Sequence, residues 1–230
     1  MRPIKIAIDG FAGGGKSTTA KRVAQKLSYT YIDTGAMYRA VTLYFLRHEI
    51  DFREETEVLK ASLRDIHIDF GLCGEDPIPQ IRLNGEWVEK EIRTRAVSDA
   101  VSPVAVHGAV RSALVAQQQR MGAEGGVVMD GRDIGTVVFP DAELKIFIQA
   151  DLNVRARRRK QEMEARGQIV SLEDIIANLK ARDQIDSTRA IAPLKKADDA
   201  IELDTTHMTI EQQVEAVCHL AHQKLQALSA

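Results

Sequence analysis

Residues 10–17 read Gly-Phe-Ala-Gly-Gly-Gly-Lys-Ser and satisfy G-x-x-x-x-G-K-[ST] at each fixed position. Average composition yields such a match by chance in on the order of one in a hundred chains of this length. The chemistry it encodes is anion binding. Glycines at 10, 13, 14 and 15 let a loop also containing Phe11 and Ala12 curl, so that successive backbone N–H groups point inward at phosphate oxygens. A helix starting near Lys16 adds the positive end of its dipole at the same spot. Lys16 would reach the β/γ-phosphates of a nucleotide, and the Ser17 hydroxyl would ligate Mg²⁺.

Such a loop specifies a nucleotide, not a reaction. A guanine-nucleotide switch would carry N-K-x-D and D-x-x-G, and neither pattern occurs. Asp69-Phe70-Gly71 mimics the protein-kinase magnesium motif, but there is no H-R-D-x-x-x-x-N, so it is read as a strand end. The arginines say more about the acceptor. Two polyanions repel by about 1 kcal/mol per unit-charge pair at 4 Å in water, and by about 4 kcal/mol at an effective dielectric of 20. Arginine relieves this, because its planar fork binds phosphate bidentately and stays protonated. The chain offers Arg39, Arg132, a group at 155–159, Arg182 and Arg189. That distribution favours a phosphate-bearing acceptor over a hydroxyl needing a base.

These residues must be held by alternating elements. Residues 4–8 form a short β-branched run stopping at Asp9-Gly10, and Ala20, Val23, Ala24 and Leu27 follow at helical spacing. Tyr31-Ile32 reads as a strand, and Met37, Ala40, Val41 and Tyr44 mark the next helix, so the opening is strand–helix–strand–helix, as in a parallel α/β sheet. Between 63 and 91 come three strand-like runs, 65–70, 79–83 and 86–92. The last two flank Asn84-Gly85, a hairpin signal because both central positions take φ > 0. A small antiparallel lobe is therefore expected there. The parallel pattern returns at 126–130 and 144–148, followed by a basic helix from about Asn153. Ser171 with Asp174 opens a helix that Pro193 is expected to close. After a strand at 200–203, Thr209 and Gln212 cap a final helix with Ile210, Val214, Val217, Ala221, Leu225 and Leu228 on one face.

Composition sets the outer bounds. At 230 residues, 44% apolar and 28% charged, the chain can bury a sizeable core and is not of disordered type. No consecutive apolar run exceeds four residues, too short for a membrane span, and the N-terminus lacks a signal-peptide core. The net charge of −2 argues against a dedicated duplex-DNA binder, which usually shows a strong basic excess. Within it, residues 155–166 concentrate Arg155, Arg157, Arg158, Arg159, Lys160 and Arg166. Cys73 and Cys218 have no metal spacing and suggest reduced thiols in the cytoplasm. His67, His107 and His219 read as packed or surface residues, and Trp87 as a cross-strand packing residue.

Together with the loop, Asp33-Thr34-Gly35-Ala36-Met37-Tyr38-Arg39 and the block from Asp130-Gly131-Arg132-Asp133-Ile134-Gly135 to Pro140 make the chain resemble the bacterial cytidylate (CMP) kinases. These are P-loop nucleoside monophosphate kinases. The likeness continues through Arg182-Asp183, Asp186, Arg189, Ala192-Pro193-Leu194 and Ala197–Ala200 to Leu203-Asp204-Thr205-Thr206, nearly the whole chain. It implies a P-loop NTPase-type parallel sheet flanked by helices, with a small antiparallel β insert in the NMP-binding region and a basic helical lid. On that plan 1–230 is a single domain, with core about 1–48 and 96–230, insert about 63–95 and lid about 153–189.

The resemblance also implies ATP-dependent phosphorylation of CMP, and of dCMP, by a cytoplasmic monomer using Mg²⁺, without nucleic-acid or membrane partners. The donor would lie on Gly10, Phe11, Ala12, Gly13, Gly14, Gly15, Lys16, Ser17 and Thr18, with Arg155, Arg158 and Arg159 on the lid. The acceptor phosphate falls to Thr34, Arg39 and Arg132, the base to Ser102, Arg111 and Asp133, and the ribose to Arg182 and Asp186. Arg189 would bridge acceptor and phosphates, so that Lys16, Arg132, Arg158 and Arg189 form the catalytic set. Ser17 and Asp130 are the metal candidates, with a turn-ordering role open for Asp130, and Ser98 could stand in for Ser102. The family commonly has Pro after the first loop glycine, where this chain has Phe11; Gly14 is a second departure. The lid and the insert are expected to close on the substrates. Other readings of the loop are a kinase for UMP, dTMP or a non-nucleotide acid, or a non-catalytic ATP-binding module.

Overall fold

A computed structural model describes residues 3–74, 79–165 and 167–229; Arg166 of the basic segment lies outside the described residues. The chain packs as two compact units, Met1–Ile32 with Met121–Ala230, and Asp33–Arg120.

In the first unit, β1 (Lys5–Gly10) is the central strand of a five-stranded sheet. The order is β2 (Thr30–Asp33), β6 (Val127–Gly131), β1, β7 (Leu144–Gln149), β8 (Ile201–Asp204). Pairing is parallel, with Asp9 opposite Gly131, Gly10 opposite Ile148 and Gln149 opposite Asp204. All these strands therefore run out at one edge, the usual place for a ligand in an α/β sheet. Side chains alternate across the pleat, so Ile4, Ile6 and Ile8 share a face. They pack with Val128, Leu144, Ile146 and Ile148 against Ala20, Val23 and Ala24 of α1 (Lys16–Leu27) and Val214, Val217 and Ala221 of α8 (Ile210–Ala227). The Thr209–Gln212 capping box is formed in both directions. Leu228 departs from expectation: it stands past the helix end and is exposed, so the apolar face stops at Leu225.

The basic segment is α6 (Leu152–Glu164), which packs against α7 (Leu172–Thr188). The Asp151 side chain caps α6, and the Ser171 hydroxyl accepts from the Asp174 N–H to open α7. α7 ends five residues before Pro193, not at it. Arg189 turns to ψ 142, its Nε donates to the Ala192 carbonyl, and the Leu194 N–H returns to the Asp186 carbonyl. Side-chain bonding at Arg189 thus ends the helix before the proline does.

The second unit holds α2 (Thr34–Arg47), α3 (Glu57–Ser62), an antiparallel sheet of β3 (Ile68–Gly71), β4 (Gln80–Leu83) and β5 (Glu86–Trp87), then α4 (Arg95–Val104) and α5 (Gly108–Met121). The hairpin forms where Asn84-Gly85 demands it, with φ of 51° and 84°. β5 is shorter than the run 86–92 suggested. After Trp87 the chain leaves the sheet and closes a short helical turn at Glu91–Arg93, with Val88 and Ile92 buried. Trp87 pairs across with Arg82, whose guanidinium lies 5.1 Å from the ring centroid. Asp69-Phe70-Gly71 ends β3, with Asp69 accepting from Arg82. Among the described residues no helix is long and apolar enough to cross a membrane.

α2 begins on a charged cap. Asp33 accepts from the Ala36 N–H at 2.9 Å and pairs with Arg93 at 2.9 Å. Burial works against its charge, but Arg93 and these hydrogen bonds hold the carboxyl below its usual range. A depressed carboxylate stabilises the fold above its unfolded pKa and loses that contribution on acidification. Arg93→Met should therefore cost about 2 kcal/mol at pH 7 by urea unfolding, less than for a fully buried pair because Arg93 is partly exposed. The deficit should narrow towards pH 4, since a protonated Asp33 needs no counter-charge. A deficit independent of pH would remove the ion pair from this role.

Candidate active site

Gly10 leaves β1 at φ 145°, and a Cβ there would lie 1.9 Å from the Ile148 carbonyl oxygen. Only glycine lets the loop start this close to β7. The loop ends at Gly15 (φ 90°), and α1 starts at Lys16. Lys16 is buried, its Nζ donating to the Phe11 carbonyl at 2.6 Å. Burial, and then the nearby Arg132 guanidinium, push its ammonium down to about 7, while Asp130 and Asp9 pull the other way.

Ser17 and Asp130 come together. The Ser17 hydroxyl donates to Asp130 Oδ2 at 2.8 Å, and the Tyr31 hydroxyl donates to Oδ1 at 2.9 Å. These are hard oxygen donors of the kind Mg²⁺ takes when substrate phosphates and water complete its shell. Among the described residues there is no group of three or more His, Cys, Asp or Glu that could hold a metal.

Arg132, Asp133, Arg182, Asp186 and Arg189 gather at the same edge of the sheet. Arg132 Nε donates to Asp186 Oδ2 at 2.9 Å, and Arg189 Nη2 faces Asp133 Oδ1 at 3.7 Å. Arg182 is pushed down to about 10 by burial and then by Arg132, and its buried Nε has no hydrogen-bond partner among the described residues. Asp186 is buried too, yet Arg132 and Arg182 hold its carboxyl below the usual range. Guanidiniums at Arg132, Arg182 and Arg189 beside the Lys16 ammonium make a setting for phosphate.

The arginines of α6 divide. Arg155 lies against the loop itself: its ion is 5.4 Å from the Phe11 ring centroid, and Nη1 donates to the Ala12 carbonyl at 3.0 Å and to Asp183 at 2.7 Å. Asp183 also accepts from the Ala12 N–H at 3.4 Å, and Phe11 meets Phe147 edge-on at 6.0 Å. The Phe11 side chain thus ties the loop to Arg155 and Phe147. Arg158 donates to the carbonyls of Thr205 and Met208, and Arg159 to Glu162 one turn on.

In the second unit, Thr34 opens α2 behind the Asp33 cap and Arg39 lies one turn and a half further on. Arg39 Nη1 donates to the Ser98 hydroxyl at 3.0 Å and to the Ile92 carbonyl at 3.2 Å. Ser98 and Ser102 stand four residues apart on α4, both buried, so they share a face. Ser98 is engaged by Arg39. Arg111 is buried with its guanidinium 5.6 Å from the Tyr38 ring centroid.

The residues missed at the sequence level are those that hold others: Tyr31 on Asp130, Asp183 on Arg155, Arg93 on Asp33, and Asp9, whose carboxylate accepts from two backbone N–H groups. The position of Asp9 at the end of a strand just before the loop was the one available signal.

A parallel sheet with this loop at the exit of its central strand defines the class: a P-loop kinase-type α/β protein. A gluconokinase from Sinorhizobium meliloti shares the fold at TM-score 0.50 and 13% identity, over 99% of this chain and 97% of its own. A model of the cytidylate kinase family matches residues 6–223. The cytidylate kinase of Parabacteroides distasonis is 58% identical over 215 residues, 93% of this chain and 94% of its own. That of Bacillus pumilus is 51% identical over 211 residues, 92% of each. The chain belongs to the cytidylate kinase family.

The Arg155–Asp183 pair gives the site a measurable weak point. Asp183→Ala leaves a buried guanidinium without its counter-charge and should cost about 3 kcal/mol in urea unfolding. Removing both partners in Arg155→Met/Asp183→Ala should recover more than half of that. An additive double variant would show that the pair is not coupled.

Proposed function

We propose that the protein transfers the γ-phosphoryl group of ATP to CMP, and to dCMP, giving ADP and the cytidine diphosphate. The observation that carries this reading is the phosphate loop facing Arg132 and Arg182 in a chain of the cytidylate kinase family. The acceptor's phosphate oxygen attacks the γ-phosphorus in line. One P–O bond forms as the bond to the β–γ bridging oxygen breaks, and the electron pair leaves with ADP. An anionic oxygen needs no base, so catalysis is by positioning and charge neutralisation.

Lys16 and the loop N–H groups hold the donor phosphates; releasing the Phe11 carbonyl, the Lys16 ammonium can turn to them. Ser17 and Asp130 would hold Mg²⁺, which when bound neutralises charge on the donor oxygens. Thr34, Arg39 and Arg132 take the acceptor phosphate, Arg182 and Asp186 its ribose, and Arg189 and Arg158 the transferring charge. Ser102, Arg111 and Asp133 read the base. Cytosine presents an N4 amino donor where uracil has a carbonyl. A carboxylate at Asp133 accepts from the first and repels the second, and a polar group left unpaired discriminates strongly. Closure of the 153–189 region over the phosphates keeps water from the donor. We read the protein as a cytoplasmic monomer, a setting that the two free thiols support.

A coupled assay with Mg-ATP and CMP, dCMP, UMP, AMP or shikimate tests the substrate. CMP and dCMP should give kcat/KM at least about tenfold above the others, the equivalent of one hydrogen-bond-sized difference. Best turnover on UMP, AMP or shikimate would contradict the reading, and ATP binding without turnover of any acceptor would make the protein a binding module. Lys16→Ala should lose on the order of a thousandfold in kcat, as for loss of a charged transition-state contact. Asp133→Ala should lower kcat/KM on CMP far more than on UMP; equal losses would remove Asp133 from base selection.

A further inference from the structure

Arg132 and Asp133 sit at the mouth of a single helical turn, Ile134–Val138, entered directly from β6. The first N–H groups of any such turn lack intrahelical partners, and the residue at its entrance ordinarily caps them with its own side chain. Asp133 holds that entrance position and has the right chemistry, yet its side chain makes no capping bond. The turn is capped from elsewhere. Asp9, 125 residues earlier, accepts from the Ile134 N–H with Oδ1 at 2.8 Å and from the Gly135 N–H with Oδ2 at 2.7 Å. Both carboxylate oxygens are thus used on consecutive amides. The Asp133 carboxylate is turned to Arg189 instead, at 3.7 Å.

Two features make the arrangement specific. Asp9 lies opposite Gly131 in the sheet register, so the strand pairing itself delivers the carboxylate to the turn. Gly135 admits it: a Cβ there would lie 3.2 Å from the Lys145 side chain and 3.4 Å from Asp9 Oδ2. Asp9 is also the residue before Gly10, where the phosphate loop begins. One side chain therefore ties the start of the loop to the turn carrying Arg132 and Asp133.

The geometry points to Asp9 as a positioning residue for the acceptor: by capping the 134–138 turn in place of Asp133, it leaves the Asp133 carboxylate for the base and fixes Arg132 relative to the phosphate loop. This rests on the reading of Arg132 and Asp133 as acceptor-side groups. Without Asp9, the free N–H groups of Ile134 and Gly135 would draw Asp133 into capping its own turn. A competing role exists, since Asp9 also lies near the Lys16 ammonium and could act as its counter-charge. That role would show on the donor side.

Asp9→Asn keeps the size but presents an NH₂ to one of the two amides. Steady-state kinetics should show the KM for CMP raised at least tenfold, the KM for ATP changed less than twofold, and the preference for CMP over UMP reduced at least fivefold. Hydrogen exchange at the Ile134 and Gly135 amides should quicken at least tenfold relative to the β1 amides. If Asp9→Asn does not fold, Gly135→Ala substitutes: its Cβ presses first on the Lys145 side chain at 3.2 Å and touches Asp9 Oδ2 at 3.4 Å, and it should raise the KM for CMP at least threefold with that for ATP unchanged. A rise in the KM for ATP equal to or larger than that for CMP, or unchanged CMP-over-UMP preference, overturns the inference. So does a Gly135→Ala enzyme with normal CMP kinetics when Asp9→Asn is unfolded. Failure of the wild-type protein to phosphorylate CMP would instead sink the functional reading, and this inference with it.

Discussion

Two phosphate groups of like charge must be brought within bonding distance, and the cations that make this possible must survive burial when no phosphate is there. The sheet edge of the first unit meets that constraint by giving its cations protein partners. Arg132 rests on Asp186, Arg189 faces Asp133, Arg155 lies on Asp183, and Lys16 donates to the Phe11 carbonyl. Burial lowers the proton affinity of Lys16 and of Arg182, and both shifts would reverse on meeting an anion. Desolvated charge of this kind is expensive in isolation and effective against phosphate for one reason: the low dielectric strengthens both terms.

The fold supplies this arrangement through strand ends. Parallel pairing brings Gly10, Gly131 and Gln149 to one edge, so the loop, the 131–138 turn and the entry to α6 leave the sheet beside one another. Loop rigidity then comes from contacts rather than from a proline. Phe11 meets both Arg155 and Phe147, Asp183 bonds both Arg155 and the Ala12 N–H, and the Thr205 hydroxyl reaches the Gly14 carbonyl at 3.3 Å.

What could be read from sequence was what is local. The loop declares itself because its glycines are needed for backbone shape, the hairpin because Asn84-Gly85 needs positive φ, and α8 because cap and apolar face lie within one segment. α7 ended early through bonding at Arg189 that no propensity expresses. In the site, the side chains that meet phosphate in the family resemblance were legible by residue type. Their holders were not, because Tyr31 and Asp130, or Asp9 and Gly135, lie 99 and 126 residues apart. Contacts over such distances follow from strand order, which the local pattern leaves open.

The central claim is that the guanidiniums of Arg132 and Arg189 neutralise phosphate charge beside the glycine loop. A crystal structure with a bisubstrate analogue joining adenosine to cytidine through a polyphosphate bridge tests it most directly. The account predicts both guanidiniums within hydrogen-bond distance of bridge phosphate oxygens, with the Lys16 ammonium moved from the Phe11 carbonyl onto the same bridge. Guanidiniums still bonded only to protein carboxylates, with the bridge bound elsewhere, would contradict it.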